Sequence, residues 1–101
     1  MTAYLVSIIR ILDREKFAEF RASSPRAAAQ FGGEEVLRGK VLALLEGTGE
    51  CQDEMVAVVR FPNAEAARAL TQSRQFQEAQ QRRRGIVEVN LRLVDDNSIS
   101  A

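Results

Sequence analysis

The chain has no histidine and no tryptophan, and its only cysteine is Cys51. Without histidine it lacks the commonest general base at neutral pH and the commonest nitrogen ligand for metals. A lone thiol forms no intramolecular disulfide, and with no imidazole beside it neither a zinc centre nor a Cys-His nucleophile can be built. An excess of one charge is missing too: fourteen basic residues face fourteen acidic ones, for a formal net charge of +0. Nucleic-acid binders draw most of their affinity from phosphate neutralisation and carry a basic surplus, so no nucleic-acid partner is expected. No apolar run approaches the roughly 18 residues that a membrane-spanning helix needs. Nor does the segment after Met1-Thr2 show the basic stretch and small-residue cleavage site of an export signal. The expectation is a cytoplasmic protein without membrane contact.

What remains is the composition of an ordinary globular domain, 46% hydrophobic and 28% charged over 101 residues. Ala3 to Leu12 is dense in β-branched residues and nearly continuous in apolar character, as a strand covered on both faces is. Asp13 is placed to cap a helix in which Phe17, Phe20, Ser24, Ala27, Ala28 and Phe31 form one stripe. Pro25 predicts a kink near Ser23-Ser24, and Gly32-Gly33 a left-handed stop. Glu34 to Gly47 reads as one long strand bent or bulged at Gly39, or as a tight hairpin. Met55 to Phe61 is a further strand. Asn63 caps an alanine-rich helix that Ser73 can restart and Gly85 ends, and Ile86 to Val94 alternates as a last strand.

The order strand, helix, strand, strand, helix, strand predicts an α+β, ferredoxin-like βαββαβ antiparallel sheet with both helices on one face. A single domain over residues 1–95 with a flexible tail over 96–101 is expected. The two central strands are apolar on both sides: Val56 and Val58 back onto Met55, Ala57, Val59 and Phe61, and the first strand is polar only at Ser7 and Arg10. Such strands need two covers. The expected second cover is another copy, giving a homodimer whose two sheets pack into a barrel.

An ordered set of residues carries a resemblance. Tyr4, Asp13 with Phe17 and Phe20, Phe31-Gly32-Gly33, Arg38-Gly39, Leu45-Glu46-Gly47, Phe61-Pro62 and Ala66-Ala67-Arg68 follow one another at matching spacing. Together they resemble the domain-of-unknown-function family 1330, small proteins of the dimeric α/β-barrel superfamily, from Tyr4 to about Val94. The pattern departs from the family at Lys40, where a second glycine is common, and at Leu70-Thr71, where an aromatic pair is usual. The resemblance implies the fold and the dimer but no established reaction. The superfamily includes cofactor-free oxygenases, haem-degrading enzymes and dehalogenating or isomerising enzymes, and fold alone does not choose among them.

The candidate site is a polar stripe on the strands. If Val87, Val89, Leu91 and Leu93 lie under the helices, Glu88, Asn90 and Arg92 point to the opposite, dimer-side space. The same alternation can bring Arg10, Arg38, Glu46 and Arg60 there, with Tyr4 as a hydrogen-bond donor. Several arginines among carboxylates suit a small anionic ligand held by bidentate hydrogen bonds; alternatively the groups pair across the copies and only set register. Three readings follow. The first is a dimeric binding domain with a small-molecule ligand in a pocket between sheet and helices, near the dimer-side face, gated by Arg38, Glu46, Arg60 and Asn90. The second is a cofactor-free enzyme with Glu46 or Glu88 as base and an arginine as electrostatic stabiliser. The third is a structural or regulatory dimer without ligand. No cofactor or metal is expected. Cys51 reads as a bystander thiol in a polar turn, and Arg82-Arg83-Arg84 as cations favoured at a helix C-terminus. Gly32-Gly33 follows a helix, which does not make a nucleotide loop.

Overall fold

The computed structural model describes residues 2–23 and 27–96. Among these residues four strands and three α-helices follow one another as β1 (Ala3–Ile11), α1 (Arg14–Ser23), a short 3₁₀ helix (Ala27–Phe31), β2 (Glu34–Lys40), β3 (Glu54–Phe61), α2 (Ala64–Gln72), α3 (Arg74–Arg82) and β4 (Val87–Asp95). The strands form one antiparallel sheet in the order β2-β3-β1-β4. The kink expected at Pro25 and all but residue 96 of the expected tail lie outside the described residues.

Register divides the side chains between the two sheet faces. Leu5 pairs with Val59 and Leu93, and Ile9 with Met55 and Val89, so the odd-numbered residues of β1, β3 and β4 share a face. The helices cover that face. Leu5, Phe61, Ala67 and Leu70 are buried at its centre, with Ala28, Phe31, Val59, Phe76, Leu91 and Leu93 packed around them. Ala67 lacks a side chain beyond Cβ, which lets α2 approach the sheet closely. Phe61, only 1% exposed, is the largest fully buried side chain among the described residues.

Local chemistry marks the helix ends. The Asp13 carboxylate accepts from the Lys16 amide at 3.0 Å, and the Asn63 side chain accepts from the Ala66 amide at 2.8 Å. Gly32 takes φ 81 after the 3₁₀ helix, a conformation that a Cβ disfavours. Its neighbour Gly33 has another constraint. A Cβ there would come within 2.9 Å of the Ala28 carbonyl oxygen and of the Phe61 ring.

Two expectations of helix and strand need correction. Two helices become three because Ser73 is extended (φ −70, ψ 153) between α2 and α3. Its hydroxyl donates to the Leu70 carbonyl at 2.6 Å and accepts from the Phe76 amide at 3.2 Å, ending one helix and starting the next. The strand expected to reach Gly47 ends at Lys40, apart from the Val41 amide donating to the Glu54 carbonyl at 2.9 Å. Its irregularity lies at Val36, between Glu35 and Leu37, and not at Gly39.

The expected α/β barrel is also corrected. The sheet is open, with β2 and β4 as unjoined edges. The expected barrel takes two such sheets, whereas the chain supplies one four-stranded sheet that does not curl closed. The body measures 38 × 36 × 18 Å, the thickness of one sheet and one helical layer. Among the described residues no helix is long and apolar enough to cross a membrane.

Two substitutions test this packing. Gly33→Ala should cost about 1–3 kcal/mol in urea unfolding, because neither a backbone carbonyl nor a buried ring can yield. Asn63→Ala should cost about 1 kcal/mol through the lost cap. A Gly33→Ala protein as stable as the parent would show that the approach of Gly33 to Phe61 is not a packing constraint.

Candidate functional site

The face that the helices leave uncovered is built of cross-strand rows. Glu34, Arg60, Tyr4 and Val94 make the first, and Leu37, Val58, Val6 and Arg92 the second. Gly39, Val56, Ile8 and Asn90 make the third, and Glu54, Arg10 and Glu88 the last. The centre of this face is therefore apolar and its borders are charged.

Two ion pairs sit on those borders. Arg60 donates to Glu34 across β2 and β3 at 2.7 Å. That hydrogen bond, and next the Glu34 charge, raise the Arg60 guanidinium further above its usual range, so it is a permanent cation. Arg10 lies 3.5 Å from Glu54 and also donates to the Glu50 carbonyl at 3.3 Å. Arg92 and Glu88 make no ion pair among the described residues.

The structure thus brings Tyr4, Arg10, Arg60, Glu88, Asn90 and Arg92 to one face and separates two residues from them. Arg38 is opposite Ala57, on the helix-covered side. The extra residue at Val36 shifts the pairing of β2 by one, which exchanges its faces and moves Leu37 to the uncovered side. Glu46 lies beyond β2 in an exposed loop.

The ligand site expected on the dimer-side face is corrected as well. That face is an open layer of strand side chains, whereas a cleft of about 450 Å³ opens on the helix-covered side, between α1 and the ends of β2 and β3. Arg14, Phe17 and Arg21 form its α1 wall, at the three- and four-residue steps of one helix face. Arg38 and Lys40, two apart on β2, form the facing wall, and Ile11 and Met55 the apolar floor. Asp53 and Glu54 complete the rim.

Ion pairs line this cleft. Arg14 pairs with Asp53, tying the first turn of α1 to the start of β3. Asp53 takes φ 61, a left-handed conformation that aspartate tolerates better than most residues, and the Ile11 amide donates to its carbonyl at 2.9 Å. Arg38 makes two hydrogen bonds to Glu35, at 3.0 and 2.9 Å. The Arg21 guanidinium lies 5.7 Å from the centre of the Phe17 ring. Sequence reasoning missed Arg14, Arg21, Lys40, Asp53 and Glu54 as site residues. The spacing of Arg14, Phe17 and Arg21 was the available signal; the arrival of Asp53 from a distant turn had none.

Several solved structures share the fold. A protein of unknown function from Rhodopseudomonas palustris, RPA0582, superposes with a TM-score of 0.75 at 16% identity, covering 97% of this chain and 84% of that one. SnoaB from Streptomyces nogalater, a cofactor-independent oxygenase, gives 0.59 at 14% identity, covering 97% and 95%. A NIPSNAP-like domain protein from Burkholderia xenovorans gives 0.60 at 11% identity, covering 99% and 89%. At these identities the likeness is one of fold. No curated protein matches significantly in sequence. A family model does match, over residues 2–97, and the chain belongs to the family described as Domain of unknown function (DUF1330).

Proposed function

We propose that the chain is a self-associating module of the cytoplasm whose uncovered sheet face takes a second copy of itself. The apolar block at the centre of that face carries the reading: Tyr4, Val6, Ile8, Leu37, Val56 and Val58 are contiguous through the strand register. An apolar centre with a charged border is the anatomy of a protein interface. Leu37 is 54% exposed and has no cover among the described residues.

The charges favour a second copy over an unrelated partner. Both signs occur on the same face, with Arg10, Arg60 and Arg92 beside Glu34, Glu54 and Glu88. In a two-fold pair whatever one copy offers, the other offers in return. Arg92 and Glu88, unpaired within the described chain and both on β4, can then satisfy each other reciprocally. The zero net charge leaves no long-range repulsion between copies. Beyond β2, Leu42 and Leu45 are 90% and 95% exposed, further apolar surface that association can cover.

Sedimentation equilibrium at tens of micromolar tests this. The expected mass is twice the 11.2 kDa of the chain, and Val58→Glu, which sets a charge in the middle of the block, should return it to the single-chain value with an unchanged far-UV spectrum. A parent protein that sediments at the single-chain mass sinks the proposal. So does a Val58→Glu variant that stays paired.

A further inference from the structure

The cleft under α1 is distinct from the uncovered sheet face, and its charges do not cancel locally. Four cations line it, Arg14, Arg21, Arg38 and Lys40, against the two carboxylates of Asp53 and Glu54. Asp53 is taken by Arg14, and Glu54 lies towards Arg10 on the other side of the sheet. Arg38 is held by Glu35. Arg21 and Lys40 are left without a carboxylate partner among the described residues, one on each wall.

Below these two cations the lining is apolar. Met55 is buried, and Ile11 and Phe17 are half-buried, so the floor takes hydrocarbon and offers it no hydrogen bond. At about 450 Å³ the cleft falls within the range of about 300–1,000 Å³ usual for small-molecule sites. An apolar floor below two cations that have no carboxylate partner among the described residues matches a molecule with a hydrocarbon body and one anionic end. Asp53 on the rim disfavours a ligand of higher negative charge.

We propose that the cleft between α1 and the β2–β3 end of the sheet binds a small amphipathic carboxylate. Its carboxylate lies between Arg21 and Lys40, and its apolar body rests on Ile11, Phe17 and Met55. Arginine supplies a planar fork for the carboxylate and lysine a point charge. Arg14 and Arg38, held by their own acids, keep the two walls apart. This site does not depend on self-association, since every residue it uses comes from one chain.

The test is an NMR titration of the full chain with octanoate, with octanol as its neutral counterpart, and with inorganic phosphate. Octanoate is expected to shift the methyl signals of Ile11 and Met55 saturably. Octanol should bind at least about tenfold more weakly, and phosphate should leave those signals in place. The double variant Arg21→Gln/Lys40→Gln, both positions being exposed, should lose at least about tenfold in octanoate affinity at an unchanged melting temperature. Equal binding of octanol and octanoate would overturn the assignment of the anionic end. Saturation of the same signals by phosphate would overturn the amphipathic class. Unchanged affinity in the double variant, or no shift with octanoate up to about 10 mM, would overturn the site itself.

Discussion

The register of β1 governs the rest of the molecule. This strand is hydrogen-bonded along both sides, to β3 and to β4, and each pairing sets odd-numbered residues opposite odd-numbered ones. Three strands therefore present their faces in common, with Leu5, Phe61 and Leu93 turned together towards the helices and Val6, Val58 and Arg92 turned together away. A slip of one residue along either ladder would place charge in the core and leucine on the border. The cluster around Phe61 depends on that agreement, and so does the apolar block behind it.

The helical layer is unevenly distributed over the sheet. The main core lies where α2 and the 3₁₀ helix meet β1 and β3, around Phe61 and Ala67. Towards the other end of the strands α1 is held by the ion pair of Arg14 with Asp53, and Arg82 at the end of α3 lies 5.2 Å from the Phe20 ring. Contacts of this kind position a helix without filling the space beneath it, so a cleft is left where a core would otherwise be. The difference between the two ends is one of side-chain chemistry, a cluster of leucine, phenylalanine and alanine at one and long cations at the other.

The elements that could be read from the sequence are those whose signal is local. Asp13 and Asn63 cap as their residue types dictate, and β4 alternates so regularly that its two faces are plain. Valine on both faces of β3 is plain in the sequence, although nothing in that pattern says that a single chain leaves the sheet open. The hidden parts were matters of long-range geometry. Val41 to Leu45 has strand composition and yet leaves the sheet after one hydrogen bond, because β3 begins at Glu54 and offers it no further partner. The place of Arg38 depends on an irregularity that no residue type announces, since Gly39 looked the better position for it than Val36. The cleft needs α1, β2 and the turn before β3 together, and no stretch of sequence contains all three.

The unpaired residue at Val36 has a bearing on how such chains diverge. Loss of a single codon there would restore an unbroken ladder and still leave Leu37 opposite Val58 and Arg38 opposite Ala57. Pairing Val36 itself with Val58 would do the reverse, setting Leu37 under the helices and Arg38 and Lys40 on the uncovered face. Related chains that are one residue shorter at this point can accordingly keep both surfaces as they are, the irregularity serving as slack that absorbs a change of length.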